Sequence, residues 1–333
     1  MLTSEFDYHL PPERIAQIPI EPRHTARLLD TRDLSDRSFL ELPELLQPGD
    51  LVVVNRTRVR AARLQGHKTD TGGQIEALLL RRLSDNSWQA AVRPSRRLRP
   101  GTNLNFGNTP AVIEDGPHNG IVTLRIDADA AMASAGEVPL PPYIHTTLVD
   151  PDRYQTMFAQ EPGSAAASTA ALHFTPEVTT RLQERQIEIA EVILHIGLDT
   201  FRPIAGDAIQ DHQIHTEEFE VPEEAARTIK ECRQRQGRVI AIGTTVVRTL
   251  ETVASGDGLV TAERGDTELY ITPGFEFTVV DGLVTNFHLP RTTLLVLLAS
   301  LMGGSWRDAY QTALERGYRF ASFGDAMYAE RRQ

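Results

Sequence analysis

The sequence predicts an α/β protein in which a mixed sheet is covered by helices and a small β-barrel domain is inserted. The second half of the chain alternates short apolar segments with amphipathic ones, which is typical of strand and helix units around a largely parallel sheet. Residues 51–126 instead contain short alternating runs separated by turn clusters, the pattern of a small barrel or sandwich. We therefore expect residues 1–58 and 144–333 to form the α/β domain and residues 59–143 to form the barrel.

In the predicted barrel, alternating apolar residues indicate strands at Gln74–Leu80 and Ile121–Ile126. Clusters of Gly, Asn, Asp and Pro separate the runs, and such residues favour turns because they adopt unusual backbone angles or hydrogen-bond their own backbone. The proline-rich stretch Val138–Tyr143, VPLPPY, is typical of an extended connector.

In the α/β part, each helix is expected between a capping residue and a glycine or polar stop. Thr175 and Pro176 are typical of a helix start, and Leu269–Phe287 predicts two or three strands broken by Pro-Gly and Asp-Gly turns. The remaining predicted elements, in order, are a strand at Ile187–Ile196, a helix between Pro222 and Gly237, a strand at Val239–Ile242, a helix after Gly243, and helices at Pro290–Met302 and Ser305–Arg316.

Composition excludes several classes of protein. The 333 residues are 41% hydrophobic and 24% charged, which is ordinary for a globular chain with a large core. The N-terminus lacks the basic flank and apolar core of a secretory signal, and the longest apolar run is too short to span a bilayer. Cys232 is the only cysteine, so an intrachain disulfide is excluded and a reducing, cytoplasmic location is expected.

Charge is unevenly distributed along the chain. The formal net charge is −11, yet residues 51–126 carry twelve basic and five acidic residues, a net +7 that leaves −18 elsewhere. Eleven of these twelve are arginines, which suit bidentate phosphate contacts. A solvated basic surface without a ligand is the alternative. The candidate RNA-binding residues are Arg56, Arg58, Arg93, Arg96 and Arg97.

The run Glu161–Phe174, EPGSAAASTAALHF, predicts a loop whose backbone closely approaches a ligand. Its residues have small side chains, so a ligand can pack directly on the main chain. Gly163, Ser164 and Thr169 are candidate ligand contacts, and His173 adds a titratable ring. The alternative is a small-residue helix packed tightly in a core.

Two strand-to-helix junctions predict further ligand contacts. Gly243 is expected to end a strand, with Thr244 or Thr245 capping the next helix and Arg248 one turn later. Asn286 and His288 are expected at the end of another strand. Free N–H groups at a helix start bind anions, and ligands of open α/β sheets bind at the carboxyl ends of strands. Ordinary structural capping is the alternative for each junction taken singly.

The segment DHQIHTEEFE is dense in potential metal ligands, including His212, His215 and Glu217. No further spaced ligand set accompanies it, so a solvated acidic loop is favoured and no metal site is expected. The chain also lacks a Walker loop, a dinucleotide-binding glycine motif and an HExxH helix.

Many collinear motifs resemble those of the S-adenosylmethionine:tRNA ribosyltransferase-isomerase family of queuosine biosynthesis. The resemblance covers nearly the whole chain. It is carried by FDYHLPPERIAQIPIEPR, PGDLVVVNRTRVRAARL, VPLPPYI, RYQTMFAQEPGSAAASTAALHFT, LHIGLDTFRPI, HTEEFEVP, AIGTTVVRTLE, NFHLPRTTLL and YRFASFGDAMY. The chain departs from the family pattern at Ser168, Ala171 and Thr292, where the family typically has Pro, Gly and Ser.

The resemblance implies a catalytic α/β domain with an inserted β-barrel, and S-adenosylmethionine as co-substrate without a permanently bound cofactor. It implies transfer and isomerisation of the ribosyl group onto 7-aminomethyl-7-deazaguanine at the wobble position of a tRNA. The products are epoxyqueuosine-tRNA, adenine and methionine. A monomer without membrane contact is expected.

This chemistry needs several proton transfers, for which histidine is suited because its reference pKa is near neutral. The candidate catalytic residues are His215, His288, His173 and Glu217, with Asp199 as a weaker candidate; the candidate donor contacts are Gly163, Ser164, Thr169, Gly243, Thr244, Thr245, Arg248 and Asn286. A structural imidazole is the alternative for each histidine. Two other functions stay open: a noncatalytic RNA-binding protein, and an S-adenosylmethionine-dependent methyltransferase or nucleotide hydrolase.

Overall fold

The computed structural model describes residues 1–197 and 203–332. The chain divides into two compact units. The large unit comprises Met1–Arg58, Pro141–Glu161 and Ala167–Gln333, and the barrel unit comprises Val59–Leu140 and Pro162–Ala166. The barrel unit thus ends near the predicted boundary at residue 143 but also takes in five residues of the small-residue run.

The large unit is built on a mixed sheet that has nine strands within the described residues. In spatial order these are β16 (Glu263–Thr267), β14 (Glu217–Val221), β13 (Glu188–Leu194), β3 (Leu51–Asn55), β15 (Val239–Ile242), β17 (Gly282–Asn286), β18 (Ala326–Glu330), β1 (Arg27–Asp30) and β2 (Ser35–Ser38). The four central strands β13, β3, β15 and β17 pair in parallel, so their carboxyl ends lie at one edge. β18 and β1 also pair in parallel, whereas the other neighbours are antiparallel.

The central strands are apolar because they are buried on both faces. Every residue of β3, β15 and β17 is buried.

The helices of the large unit are α1 (Leu42–Leu45), α3 (Pro176–Glu184), α4 (Glu223–Gln234), α5 (Thr244–Thr252), α6 (Thr293–Met302) and α7 (Trp306–Glu315). Short 3-10 helices lie at Thr3–Phe6, Pro12–Arg14, Arg23–Thr25, Phe39–Glu41, Pro151–Tyr154, Thr169–His173, Ile209–Asp211 and Gly303–Ser305.

The barrel unit is an antiparallel sheet in the strand order β11 (Gly136–Glu137), β5 (Arg63–Lys68), β6 (Gln74–Ser84), β7 (Ser87–Arg93), β10 (Ile121–Ile126), β9 (Thr109–His118) and β8 (Asn103–Phe106). Pairing of β5 with β8 closes six of these strands into a barrel. Gly66 is required at this seam, because a Cβ there would lie 2.4 Å from the carbonyl oxygen of Asn105. The helix α2 (Ala128–Ala135) packs on the barrel. The mixed sheet covered by helices and the β-barrel together confirm the predicted fold class.

Two short strands complete the inventory of the described residues. β4 (Thr57–Val59) and β12 (Glu161–Ser164) pair with each other as a two-stranded sheet. The run Glu161–Phe174 therefore begins as a strand and ends in the 3-10 helix Thr169–His173, rather than forming one small-residue helix.

Several local predictions are wrong. Gly243 rather than a threonine is the N-cap residue of α5, and no side chain caps that helix. The helix α3 does begin at Pro176 after Thr175, as predicted, but the side chain of Thr175 makes no capping hydrogen bond. Leu269–Phe287 contains one strand, β17, instead of two or three. The reason is a buried carboxylate: Glu251 of α5 accepts hydrogen bonds from the backbone N–H groups of residues 278–280, which satisfies them without a neighbouring strand.

The amino ends of β3 and β15 are joined by a second buried carboxylate. Asp50, which is 2% exposed, accepts hydrogen bonds from the backbone N–H groups of Gln47 and Arg238 at 2.8 and 2.9 Å. It also accepts one from Nη2 of Arg238 at 2.6 Å. Because the carboxylate is buried, these bonds are expected to contribute strongly to the stability of the large unit.

We expect Asp50→Ala to lower the free energy of unfolding by about 2–3 kcal/mol, since it removes a charged acceptor and leaves its donors unpaired. The exposed ion pair of Arg227 with Glu231 offers a control, and Arg227→Ala is expected to change stability by less than about 0.5 kcal/mol. Urea unfolding followed by fluorescence in a Trp88→Phe background isolates Trp306, the tryptophan of the large unit. Equal effects of the two substitutions would contradict the expected role of Asp50.

Candidate active site

A cleft in the large unit lies at the carboxyl ends of the parallel strands. It has an empty volume of about 590 Å³, which includes space open to solvent. We call it the central cleft. Its walls are Tyr143, Ala167, Ser168, Thr169, Ala170, Ile196, Gly243, Thr244, Thr245, Thr285, Asn286, Phe287, His288, Leu289, Thr292, Leu294, Ala321 and Ser322.

The junction between β15 and α5 forms one wall of the central cleft. Gly243 has φ +90°, and a Cβ there would lie 2.9 Å from Oγ of Ser168, so only glycine fits without strain. No side chain caps α5, and its first N–H groups start the helix beside the cleft. Oγ1 of Thr245 lies 3.3 Å from Oγ of Ser168. The wall therefore offers hydroxyls and backbone donors to a polar or anionic group.

The end of β17 forms the opposite wall. The hydroxyl of Thr169 donates to Oδ1 of the buried Asn286 at 2.8 Å, which ties the 3-10 helix Thr169–His173 to the strand. Nδ2 of Asn286 lies 3.4 Å from Nε2 of His173. This geometry fixes the orientation of the Asn286 amide.

His288 lines the central cleft, whereas His173 lies behind it. Nε2 of His288 is 3.1 Å from Oγ1 of Thr285, and its backbone N–H donates to the hydroxyl of Tyr310. Burial lowers the pKa of His288 to about 3, and burial together with the charge of Arg319 lowers the pKa of His173 to about 3. Both rings are therefore neutral at physiological pH.

A second cavity has an empty volume of about 500 Å³, which includes space open to solvent, and it adjoins the central cleft because Leu294 lines both. We call it the side cavity. It is lined by Gly197, His212, Ile214, His215, Glu217, Arg248, Leu269, Tyr270, Ile271, Thr293, Leu294 and Leu297.

A buried ion pair forms the polar part of the side cavity. Nη1 of Arg248 donates to Oε2 of Glu217, and both side chains are less than a tenth exposed. The backbone N–H of Gly197 donates to Oε1 of Glu217 at 2.8 Å, and Nε of Arg248 donates to the carbonyl oxygen of Leu269 at 3.0 Å. Both carboxylate oxygens of Glu217 therefore accept hydrogen bonds. His215, by contrast, is exposed at the cavity.

The structure groups most of the predicted site residues in these two spaces. The central cleft contains Thr169, Gly243, Thr244, Thr245, Asn286 and His288, and the side cavity contains His215, Glu217 and Arg248. Gly163 and Ser164 belong to the barrel unit, where the hydroxyl of Ser164 donates to the carbonyl oxygen of Ala166. Asp199 lies outside the described residues.

Sequence reasoning missed three polar residues of the central cleft, namely Tyr143, Thr285 and Ser322. The hydroxyls of Tyr143 and Ser322 lie 2.7 Å apart on its wall. Tyr143 ends the proline-rich connector and Ser322 lies in the motif YRFASFGDAMY, but neither segment has a residue pattern that indicates a ligand contact.

The chain is similar to known proteins over nearly its whole length. A profile for queuosine biosynthesis proteins matches residues 3–329. The chain belongs to this family. Two similar proteins, both named S-adenosylmethionine:tRNA ribosyltransferase-isomerase, come from Moorella thermoacetica and Heliobacterium modesticaldum. The first is 48% identical, covering 98% of this chain and 99% of that protein, and the second is 49% identical, covering 97% and 98%.

A solved structure is also similar. It is the crystal structure of S-adenosylmethionine tRNA ribosyltransferase from Thermotoga maritima, which is 37% identical and aligns with a TM-score of 0.55. The alignment covers 98% of this chain and 99% of that one.

The three departures from the family pattern occupy distinct environments. Thr292 caps α6 through its hydroxyl, which accepts from the N–H of Leu295, a role that serine also fills. Ser168 faces the central cleft and approaches Thr245. Ala171 is fully buried in the core of the large unit. Ser168 and Thr292 therefore both line the central cleft, whereas Ala171 does not.

The arginines proposed to bind RNA differ in their availability. Arg93, Arg96 and Arg97 are exposed and lie at or just after the end of β7. Arg56 and Arg58 instead form ion pairs, with Glu191 at 3.7 Å and with Asp152 at 3.1 Å. We call the exposed segment Arg93–Arg99 the arginine loop.

The barrel unit as a whole is only weakly basic. Its residues include ten Lys or Arg and eight Asp or Glu, a net charge of +2, because α2 and its flanks add three acidic residues beyond Ile126. The segment net charge of +7 therefore does not describe the folded unit. The positive charge is concentrated in the arginine loop, which has four arginines and no acidic residue.

Two negative findings apply to the described residues. No group of three or more His, Cys, Asp or Glu side chains is arranged to hold a metal ion. No helix is long and apolar enough to cross a membrane.

The buried histidines predict a loss of stability in acid. An unfolded histidine takes up a proton below about pH 6.5, whereas His173 and His288 resist protonation until about pH 3. The stability that these two neutral histidines contribute is therefore fully present above about pH 6.5, and it is lost as the pH decreases from 6.5 towards 3. We expect His173→Gln and His288→Gln each to reduce this slope by about 1.4 kcal/mol per pH unit. Urea unfolding at several pH values tests this, and an unchanged slope in the double variant would contradict it.

Proposed function

We propose that this chain is an S-adenosylmethionine:tRNA ribosyltransferase-isomerase. In this reaction the ribosyl group of S-adenosylmethionine is transferred and isomerised onto 7-aminomethyl-7-deazaguanine at the tRNA wobble position. Epoxyqueuosine-tRNA, adenine and methionine are the products. The observation that carries the proposal is the similarity to relatives of that name over 98% of the chain. The polar cleft at the strand ends supports it.

The central cleft is proposed as the site for the nucleoside part of S-adenosylmethionine. Hydroxyls of Thr244, Thr245 and Thr169 and the amide of Asn286 line it, and they suit the ribose hydroxyls and the purine edge. Gly243 keeps the backbone of the cleft accessible. Gly163 and Ser164 stay predicted donor contacts of the barrel unit.

The proton transfers are proposed for His215 and His288 in different roles. The sulfonium acidifies the C5′ protons of the donor, and a base with a pKa near the working pH removes one most efficiently. His288 has a pKa of about 3 and is a weak base, so it suits a neutral hydrogen-bonding role towards the donor. His215 is exposed at the adjoining side cavity and is the preferred candidate for the base. His173 supports Asn286 from behind the cleft.

The tRNA is proposed to contact the arginine loop through its anticodon-stem phosphates. Arg93, Arg96 and Arg97 are exposed, and no ion pair occupies them within the described part of the chain. Arg56 and Arg58 are weaker candidates, because a phosphate has to compete with the carboxylates that already pair with them. In this proposal residues 1–58 and 144–333 form the catalytic domain and residues 59–143 the inserted domain of a cytoplasmic monomer.

The function is tested by incubating the protein with S-adenosylmethionine and a tRNA that carries 7-aminomethyl-7-deazaguanine. We expect adenine and methionine in equal amounts, detected by chromatography, and a matching mass increase of the tRNA.

His215→Ala is expected to retain donor binding and to lose roughly 10²- to 10⁴-fold in rate, the usual range for a positioned base. A loss of less than tenfold would remove His215 as the base.

The same assay distinguishes the alternative functions. A methyltransferase produces S-adenosylhomocysteine, and a noncatalytic RNA-binding protein releases no adenine. Either outcome would contradict the proposed function.

The arginine loop predicts a salt-dependent affinity for tRNA. Each phosphate contact releases counterions, so Arg96→Ala combined with Arg97→Ala should weaken binding and reduce the salt slope by about one unit per lost contact. Arg181→Ala combined with Arg227→Ala is the control, because it removes the same charge from exposed, ion-paired arginines of the large unit. Filter binding at several salt concentrations measures both. Equal slopes for the two double variants would exclude the arginine loop as the RNA contact.

A further inference from the structure

The side cavity contains a buried hydrogen-bond donor that the protein does not use. Arg248 is 6% exposed, and its Nε and Nη1 groups are bonded to Leu269 and Glu217. Its Nη2 is buried and has no hydrogen-bond partner among the described residues. A buried donor without a partner is unfavourable, so a bound acceptor at this position would be stabilised by the guanidinium.

A second donor lines the same cavity. The hydroxyl of Tyr270 is buried and likewise has no hydrogen-bond partner within the described residues. Its ring packs edge-on against His212, with the ring centroids 5.9 Å apart, which fixes its position. Burial raises the pKa of Tyr270 to about 12, so the hydroxyl keeps its proton at neutral pH and can donate.

The remaining wall selects the chemistry of the ligand. Ile214, Ile271 and Leu297 are apolar and suit a short aliphatic chain. Glu217 lies beside Arg248, so a carboxylate acceptor and two free donors occur together in one small space. A ligand group that has a carboxylate, an ammonium and a short apolar chain matches all three features. This is the composition of an L-α-amino acid.

The position of the side cavity connects it to the proposed donor site. Leu294 lines both spaces, and Thr245 of the central cleft and Arg248 of the side cavity lie one turn apart on α5. A ligand with its nucleoside in the central cleft therefore has the side cavity next to it, within reach of a substituent on C5′.

We propose that the side cavity binds the methionyl end of S-adenosylmethionine. Nη2 of Arg248 and the hydroxyl of Tyr270 donate to the α-carboxylate, and Glu217 faces the α-ammonium. This proposal rests on the proposed function and deepens it, because it assigns the aminoacyl part of the donor to residues outside the central cleft. Tyr270 is then a donor-binding residue that sequence analysis did not identify.

The test compares S-adenosylmethionine with its decarboxylated analogue, which lacks only the α-carboxylate. Calorimetry on the wild-type protein should give a roughly 10- to 100-fold weaker affinity for the analogue, since hydrogen bonds to a charged group are lost. Tyr270→Phe should weaken S-adenosylmethionine roughly tenfold and leave the affinity for the analogue unchanged. No variant of the buried Arg248 is needed, which avoids leaving Glu217 uncompensated in the core.

Tyr318→Phe is the matched control, because it removes a phenol hydroxyl that binds Asp36 and lines neither space. It should alter neither affinity. Equal wild-type affinities for the two ligands, or equal effects of Tyr270→Phe on both, would overturn the proposal. A weaker affinity of Tyr270→Phe for tRNA, with its donor affinity unchanged, would assign the cavity to the nucleobase and also overturn it. Failure of the proposed function gives a different result, namely no binding of S-adenosylmethionine by the wild-type protein.

Discussion

The parallel pairing of β13, β3, β15 and β17 is the constraint on which the site depends. Parallel strands end at the same edge of a sheet, so the segments that follow them converge there. In this protein the opposite ends are fixed by two carboxylates, of which Asp50 is buried and Asp281 is partly exposed. Asp50 accepts from the N–H of Arg238, and Asp281 accepts from the N–H of Val239, so the starts of β3, β15 and β17 are bonded together. With their starts joined, the strands deliver Gly243 and Asn286 to the two walls of one cleft.

Burial divides the polar residues of the site into two electrostatic classes. The rings of His173 and His288 are enclosed, and desolvation keeps them neutral, so they act as fixed hydrogen-bonding groups rather than as titrating ones. The buried charges of Arg248 and Glu217 compensate each other, and the buried carboxylate of Glu251 is stabilised by backbone N–H groups. Such an arrangement favours a ligand that brings its own balanced charges.

The sequence was sufficient to predict the fold class and six of the residues that line the central cleft, and the reason is physical. Glycine followed by hydroxyl residues at the end of an apolar run is a local signal, and the edge of a parallel sheet converts several such signals into one site. Non-local features were not predictable. The ion pairs of Arg56 and Arg58 depend on carboxylates nearly a hundred residues or more away, and the strands wrongly expected in Leu269–Phe287 fail because Glu251 supplies the acceptors. The segment containing Tyr270 carries a pattern of strands and turns but no signal of a ligand contact.

The helix α5 performs three tasks with consecutive turns. Its start borders the central cleft, Arg248 reaches the side cavity, and Glu251 holds the backbone of residues 278–280. Since a helix rises 1.5 Å per residue, the step from Thr245 to Arg248 is about 4.5 Å along the axis. The helix therefore fixes the distance between the two ends of any molecule that occupies both spaces. An insertion of one residue between Thr245 and Arg248 would shift Arg248 by about 1.5 Å along the helix axis and rotate it by roughly 100° about that axis.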